Sequence, residues 1–216
     1  MRNIARREDI RDLILDGVDV LLGRYGYKKM TMDDLAQQVG IGKGTIYLHF
    51  PSKEEVTLSH IDRIAERVLQ QLKRIAQSDS LPDWRLREML RVRVLYRFDS
   101  VRGYSQSLND LLSSLRKDLL VRRESHFKNE AKAFQEVLMD GREQGFFRFA
   151  RLKETADAFI WSSNSLLPYS LTAQELGKRY EIEQRVDSIG DLLLNGIVKS
   201  KSGSRKRNQK TKMMIS

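Results

Sequence analysis

Three prolines in 216 residues, at Pro51, Pro82 and Pro168, constrain this chain more than any other feature. Proline removes a backbone donor and breaks helix interiors, so the long proline-free runs between these positions are free to be helical. Within them apolar residues recur at the three- and four-residue spacing of amphipathic helices. Ile10, Leu13, Ile14, Val18, Leu21, Leu22 and Tyr25 make one stripe, which Gly26 is placed to end. After Pro51, Ser52 and Glu55 form an S-x-x-E capping box. The helix it opens carries Ile61, Ile64, Ala65, Val68, Leu72 and Ile75 on one side and ends near Ser78 to Pro82. Further stripes are Leu86, Met89, Leu90 and Val94; Leu108, Leu111, Leu112 and Leu115; Phe127, Ala131, Phe134 and Leu138, closed near Gly145. Ala156, Phe159, Ile160, Leu166 and Leu167 follow, then Ile182, Val186, Ile189, Leu193 and Ile197. The expected fold is all-α.

Thr31 to Lys53, TMDDLAQQVGIGKGTIYLHFPSK, has the densest local information. Thr31 caps a short helix whose first turn holds Asp33 and Asp34, where negative charge suits the helix dipole. Leu35, Ala36 and Val39 give that helix an apolar face, and Gly40 sits where the chain must turn in a left-handed conformation. Ile46 and Phe50 anchor a second short helix, which leaves Lys43, Gly44, Thr45, Tyr47 and His49 outward. That is the arrangement a helix-turn-helix needs to enter a DNA major groove. The glycine run Gly40–Thr45 is not a phosphate-binding loop: Gly44 separates Lys43 from Thr45, Gln37 occupies the outer glycine position, and a helix precedes it.

Composition excludes several classes. With no cysteine there is no disulfide, thiolate metal site or cysteine nucleophile, which suits a cytoplasmic protein. MRNIARREDIR has no apolar core and is not a secretory signal. Ala158 to Gln174 carries no charge but contains Asn164, Pro168 and serines, and reads as a buried helix rather than a membrane span. His60 and His126 lack ligand spacing, so no metal and no cofactor is implied. No nucleophile–base pair emerges, which argues against an enzyme. The net charge of +10 is uninformative about the folded part. Residues 199–216 hold 7 of those positive charges and no acid, which leaves +3 for residues 1–198. This tail reads as disordered, either a solvated end or an arm adding phosphate contacts.

Residues 8 to about 76 resemble the DNA-binding domain of TetR/AcrR transcriptional regulators. The resemblance rests on Met30-Thr31-Met32-Asp33-Asp34-Leu35-Ala36, Val39-Gly40-Ile41, Lys43-Gly44-Thr45-Ile46-Tyr47-Leu48-His49-Phe50 and Ser52-Lys53-Glu54. It implies an N-terminal three-helix helix-turn-helix domain over 1–53 and a C-terminal helical ligand-binding and dimerisation domain over 54–198. Residues 54–78 would form the connecting helix and 199–216 the basic tail. The family usually has serine where this chain has Gly42; glycine still serves as an N-cap at a cost of a few tenths of a kcal/mol.

The implied DNA contacts are Thr31, Gly42, Lys43, Gly44, Thr45, Tyr47, His49 and Lys53. Lys43 suits a guanine edge or a phosphate, and Thr45 a thymine methyl or a base hydrogen bond. Gly44 lets the backbone approach the groove. Tyr47 and His49 bind phosphate by resemblance, against the plainer alternatives of core packing for either. Lys53 opens a helix whose N-terminus attracts phosphate, Thr31 serves as cap and phosphate donor, and Lys28 and Lys29 are either flanking phosphate contacts or a solvated turn. The family's middle helices surround a small-molecule pocket, for which Tyr96, Tyr104, Phe127, Phe134, Trp161 and Asn164, and beside them Trp84 and Phe98, are candidates here, against the alternative that they are core. Trp161, Leu192 and Leu194 give the last two helices apolar character on a second face, which fits the family's four-helix dimer interface. The expected partners are a palindromic double-stranded DNA operator, an unidentified small molecule and a second copy of the chain, with no membrane. The alternative is an architectural DNA-binding or protein-interaction module on the same fold, without an inducer.

Overall fold

The computed structural model describes residues 2–104, 107–167 and 173–198. The expected disorder of residues 199–216 lies outside these, as do Pro168 and the side chains of Leu108, Leu111 and Leu112. The described residues are helical, without a β-strand; a single antiparallel bridge joins Phe147 to Val198. In chain order they are α1 (Arg2–Lys29), α2 (Met32–Val39), α3 (Lys43–His49), α4 (Lys53–Ala76), α5 (Pro82–Val101), α6 (Ser107–Glu143), α7 (Leu152–Asn164), α8 (Ala173–Leu176) and α9 (Arg179–Ile197).

The N-terminal helices close over one apolar cluster. Ile14, Val18, Leu21 and Leu22 of α1 meet Leu35 of α2, Ile46 of α3 and Phe50, all buried. Gly26 interrupts α1 with φ 71, as its position in the stripe predicts. Gly40 takes φ 74 and ends α2, its N–H donating to the Ala36 carbonyl. Gly17 was not singled out in the sequence, yet it sets the α1–α2 spacing. A Cβ there would lie 2.5 Å from Val39 Cγ2, so the helices could not approach this closely with any larger residue. The cluster also takes in Val56 and Leu58 of α4, Tyr104 after α5, and Leu115 of α6. The N-terminal unit is therefore seated on the rest of the chain by shared core rather than by a hinge alone.

The second cluster joins α4 to α9. Val68 and Leu72 of α4 pack with Leu86, Met89, Val94 and Phe98 of α5, Phe134 and Leu138 of α6, Phe159 and Ile160 of α7, and Ile182, Val186 and Leu194 of α9. Leu194 is fully buried, which corrects its assignment to a second, outer face. Trp161 (66% exposed) and Leu192 (75%) do stand on that outer face. The reading of 158–174 as one buried helix also needs correction: α7 ends at Asn164, and Ala158 and Trp161 are exposed. No helix among the described residues is long and apolar enough to cross a membrane. Ion pairs of α5 with α9 close the bundle, Arg91 bidentate on Asp187 at 2.7 Å and Arg87 on Asp191.

Candidate nucleic-acid interface and internal cavity

Local rules shape the α2–α3 unit. Thr31 and Asp34 form a reciprocal capping box: the Asp34 N–H donates to Thr31 Oγ1 at 3.1 Å, and the Thr31 N–H to Asp34 Oδ2 at 3.0 Å. The Thr31 hydroxyl also donates to Asp34, at 2.7 Å, so its proton is already taken by the cap. Gly42 caps α3 with its carbonyl, which accepts from the Thr45 and Ile46 N–H groups, and supplies no side-chain bond. Ile46 turns inward, while Lys43, Gly44 and Tyr47 are exposed and Thr45 and His49 half-buried. Around Gly44 nothing lies within 4 Å of where a Cβ would sit, so the backbone there is open to close approach. Leu48, at 78% exposure, is an apolar side chain on the same helix that the sequence reading did not single out.

The charges of this unit are held loosely. Lys43 Nζ lies 2.7 Å from Asp33 Oδ2, both exposed, and this hydrogen bond raises the lysine pKa. Lys53 Nζ, at the first residue of α4, donates to the Lys28 carbonyl at 3.3 Å and sits 4.4 Å from the Tyr27 ring centroid. Tyr27 donates in turn to Glu54 at 3.1 Å, and burial together with Glu54 pushes its hydroxyl up to about 12. Arg11, also absent from the expected set, covers Phe50 at 4.4 Å and donates to the His49 carbonyl. Ser52 Oγ accepts from the Glu55 N–H, but the reciprocal half of the expected capping box is missing. The Glu55 carboxylate is drawn away to Arg122 of α6, at 2.7 Å.

Behind this unit lies a cavity of about 140 Å³. Leu22 of α1, Ile61, Ile64 and Ala65 of α4, and Leu119 and Phe127 of α6 supply apolar wall; Arg97, Arg122, Arg123 and His126 supply polar edge. Of the candidate pocket residues, Tyr104 and Phe127 line this cavity. Trp161 instead lines an outer groove of about 430 Å³ that shares Leu120, Arg123 and Phe127 with the cavity. The other candidates are elsewhere. Phe134 stacks against Phe159 at 5.5 Å inside the core, because its stripe faces α7. Tyr96 packs half-buried against the same core. Asn164 is occupied by Arg93, whose Nη2 donates to its Oδ1 at 2.8 Å. Arg123 lies one turn before Phe127 and Arg122 one turn before His126 on α6, whereas Arg97 comes from α5 and only the packing brings it to the cavity.

Three networks of polar side chains surround the cavity. Arg93 is 1% exposed; its Nε donates to Glu130 at 2.8 Å and its Nη1 to Ser163 at 2.6 Å, while Arg97 donates to the second Glu130 oxygen. Asp62 of α4 accepts from Arg122 and from His126 Nε2. Burial alone would raise the Asp62 carboxyl, but the hydrogen bonds from His126 and Arg122 outweigh it and hold it below the usual value. On the α1 side, Tyr104 donates to Asp19 and accepts from His60 Nε2 at 2.7 Å. His60 with the tyrosine hydroxyl holds the Asp19 carboxyl down against its burial, and burial first, then Asp19, drives the Tyr104 hydroxyl far up.

A short exposed helix set across a capped partner, on an all-helical body, is a helix-turn-helix, the arrangement that can enter a DNA major groove. Residues 14–59 match the family model for bacterial regulatory proteins of the tetR family. This match places the likeness to tetR-family regulators in the N-terminal helix-turn-helix. It is 36% identical over 74 residues to the HTH-type transcriptional regulator YhgD of Bacillus subtilis, covering 34% of this chain and 37% of that protein. It is 33% identical over 86 residues to the HTH-type transcriptional repressor KstR of Mycolicibacterium smegmatis, covering 40% and 42%. The chain thus matches only about two fifths of these relatives' length. A crystal structure of a transcriptional regulator from Cytophaga hutchinsonii shares the fold, with a TM-score of 0.73 at 19% identity over 87% of this chain and 98% of the other.

Proposed function

We propose that this chain is a ligand-responsive repressor that binds a palindromic operator as a homodimer in the cytoplasm. One observation carries the reading: α4 serves both sites. Its first residue, Lys53, follows the recognition helix α3, and its middle, Ile61 to Ala65, walls the cavity. A ligand that fits the cavity better in one position of α4 than another shifts the α3 pair by that difference in affinity. Residues 1–53 act as the DNA-binding domain and 54–198 as the ligand-binding and dimerisation domain. Lys43 and Thr45 read base edges; Tyr47, His49 and Lys53 hold phosphates; Gly42 and Gly44 let the backbone close on the groove.

Dimerisation is supported by the exposed Trp161 on α7 and Tyr180 and Leu192 on α9, apolar surface that a four-helix contact with a second copy covers. Two-fold symmetry then sets the recognition helices about 34 Å apart, one turn of B-DNA. Selection of bound duplexes from a random library, followed by gel shift, tests this. A palindromic consensus with half-sites one turn apart is the expected product. Sequence-independent retention of all duplexes would favour the architectural module instead.

A further inference from the structure

The cavity wall is chemically one-sided. Three guanidiniums, from Arg97, Arg122 and Arg123, and the His126 imidazole border it, and no carboxylate does among the described residues. The acids that partner these cations lie outside the lining: Glu130 accepts from Arg97, and Glu55 and Asp62 accept from Arg122. The Phe127 ring is framed by Arg93, Arg97 and Arg123, whose guanidinium carbons lie 5.0, 6.0 and 4.7 Å from its centroid. Apart from Tyr104, the remaining wall is aliphatic. Each guanidinium carries five N–H donors, so a carboxylate adds a charge-assisted acceptor beside the acids already in place, whereas a neutral apolar ligand adds none.

We propose that the cavity takes a small organic carboxylate, its apolar body against Ile61, Ile64 and Phe127 and its anionic head at Arg122 and Arg123, and that Arg122 converts its binding into movement of α4. This rests on the ligand-responsive reading above. A cavity of this volume suits a body of about six to ten non-hydrogen atoms, by comparison with a cavity of similar size that holds benzene. The second half of the inference follows from what Arg122 already holds. Its two carboxylate partners are both on α4, Glu55 in the first turn after the recognition helix and Asp62 two turns later. Arg122 is thus an ionic tie between α6 and the start of α4. A ligand carboxylate at Arg122 competes with Glu55 and Asp62 for the same donors, and the tie is weakened as the ligand binds. Ligand and operator then favour different states of one element, which is the condition for coupling.

The full chain is titrated calorimetrically with benzoate, phenylacetate, hexanoate and octanoate, each beside its own neutral amide. At least one acid is expected to bind saturably and about tenfold or more tightly than its amide. Arg123→Gln should reduce that preference to about threefold or less, and Arg123→Lys should keep most of it. Amides binding as well as acids, or no acid binding below about 10 mM, overturns the ligand class. The selected operator is then titrated with wild type and Arg122→Gln, with circular dichroism checking that the variant is folded. Saturating acid should weaken wild-type binding about tenfold or more. Arg122→Gln should bind that weakly without ligand and not respond further. An Arg122→Gln protein that binds and responds like wild type overturns the tie. Neutral compounds that bind the cavity and release DNA would leave the regulator reading standing and sink only the ligand class. Acids that bind in the cavity without changing operator affinity would sink the ligand-responsive reading and leave the ligand class standing.

Discussion

The recognition unit and the helices around the cavity both carry cations, and they hold them in opposite ways. Lys43 pairs with Asp33, ten positions away, and both are exposed to water. Such an exposed pair contributes little and is screened by salt, so a phosphate or a base edge can replace the carboxylate at little cost. Arg93 and Arg97 converge on Glu130, 37 and 33 positions away, with Arg93 and Glu130 almost wholly shielded from water. A buried pair of this kind is costly to break because the survivor is left charged in a poor solvent. One surface is built to exchange partners with a ligand that comes and goes, while the other is built to keep them. Arg122, part-buried and tied to two carboxylates, lies between these extremes.

Breaking the stronger side gives the largest effect. Glu130→Ala should destabilise the fold by about 3–5 kcal/mol in denaturant titration, because Arg93 loses its buried counter-ion. Replacing Arg93 and Glu130 together by Met and Leu should recover much of that loss. A single-variant loss under about 1 kcal/mol would mean that water reaches the pair and that the contrast with Lys43 is false.

On the recognition side the same kind of deletion should leave stability within about 0.5 kcal/mol and act on DNA instead. Lys43→Ala should cost about 1–3 kcal/mol at the preferred operator and relax preference at one base position. Tyr47→Ala should weaken all duplexes alike and reduce the slope of affinity against salt only slightly, since the lost donor is neutral. Unchanged affinity in both variants would reject these roles.

Acid sharpens the comparison further. The Asp62 and Asp19 carboxyls are held below their usual values in the folded chain. Their contribution is therefore complete above the unfolded carboxyl value, about pH 4, and is lost as pH falls through the lower folded value. Thermal melts should show the folded chain losing stability below about pH 4, and Asp62→Asn should lose less over that interval than wild type. A variant that parallels wild type throughout would remove Asp62 from the account.

The smallest effect is a gain. A Cβ at Gly42 would meet only Thr45 Oγ1, at 3.9 Å, and the residue's φ of −66° is ordinary for any side chain. Gly42→Ser should add a few tenths of a kcal/mol through an N-cap bond to α3 and strengthen operator binding slightly. A loss of stability would show that the open start of α3 is required.

What could be read directly from the chain was set by neighbours three or four positions apart. The Thr31–Asp34 cap, the turn at Gly40, the inward Ile46 and Phe50 and the helical stripes need only backbone hydrogen bonding and periodicity. The cavity was not legible in this way. Phe127 and Phe134 are the same residue type two turns apart on α6, and only the packing of α6 against α4 and α7 sends one to the cavity and the other to the core.

The sequence by itself determined an all-helical chain with a helix-turn-helix near its start, because proline placement, apolar period and capping act within one or two turns. Tertiary structure alone decided which charges pair between helices. Glu55 carries the signature of a capping residue, yet its side chain goes to Arg122, 67 positions on, because α6 lies against α4 there and a guanidinium in a poorly solvated place binds a carboxylate more strongly than a backbone N–H does.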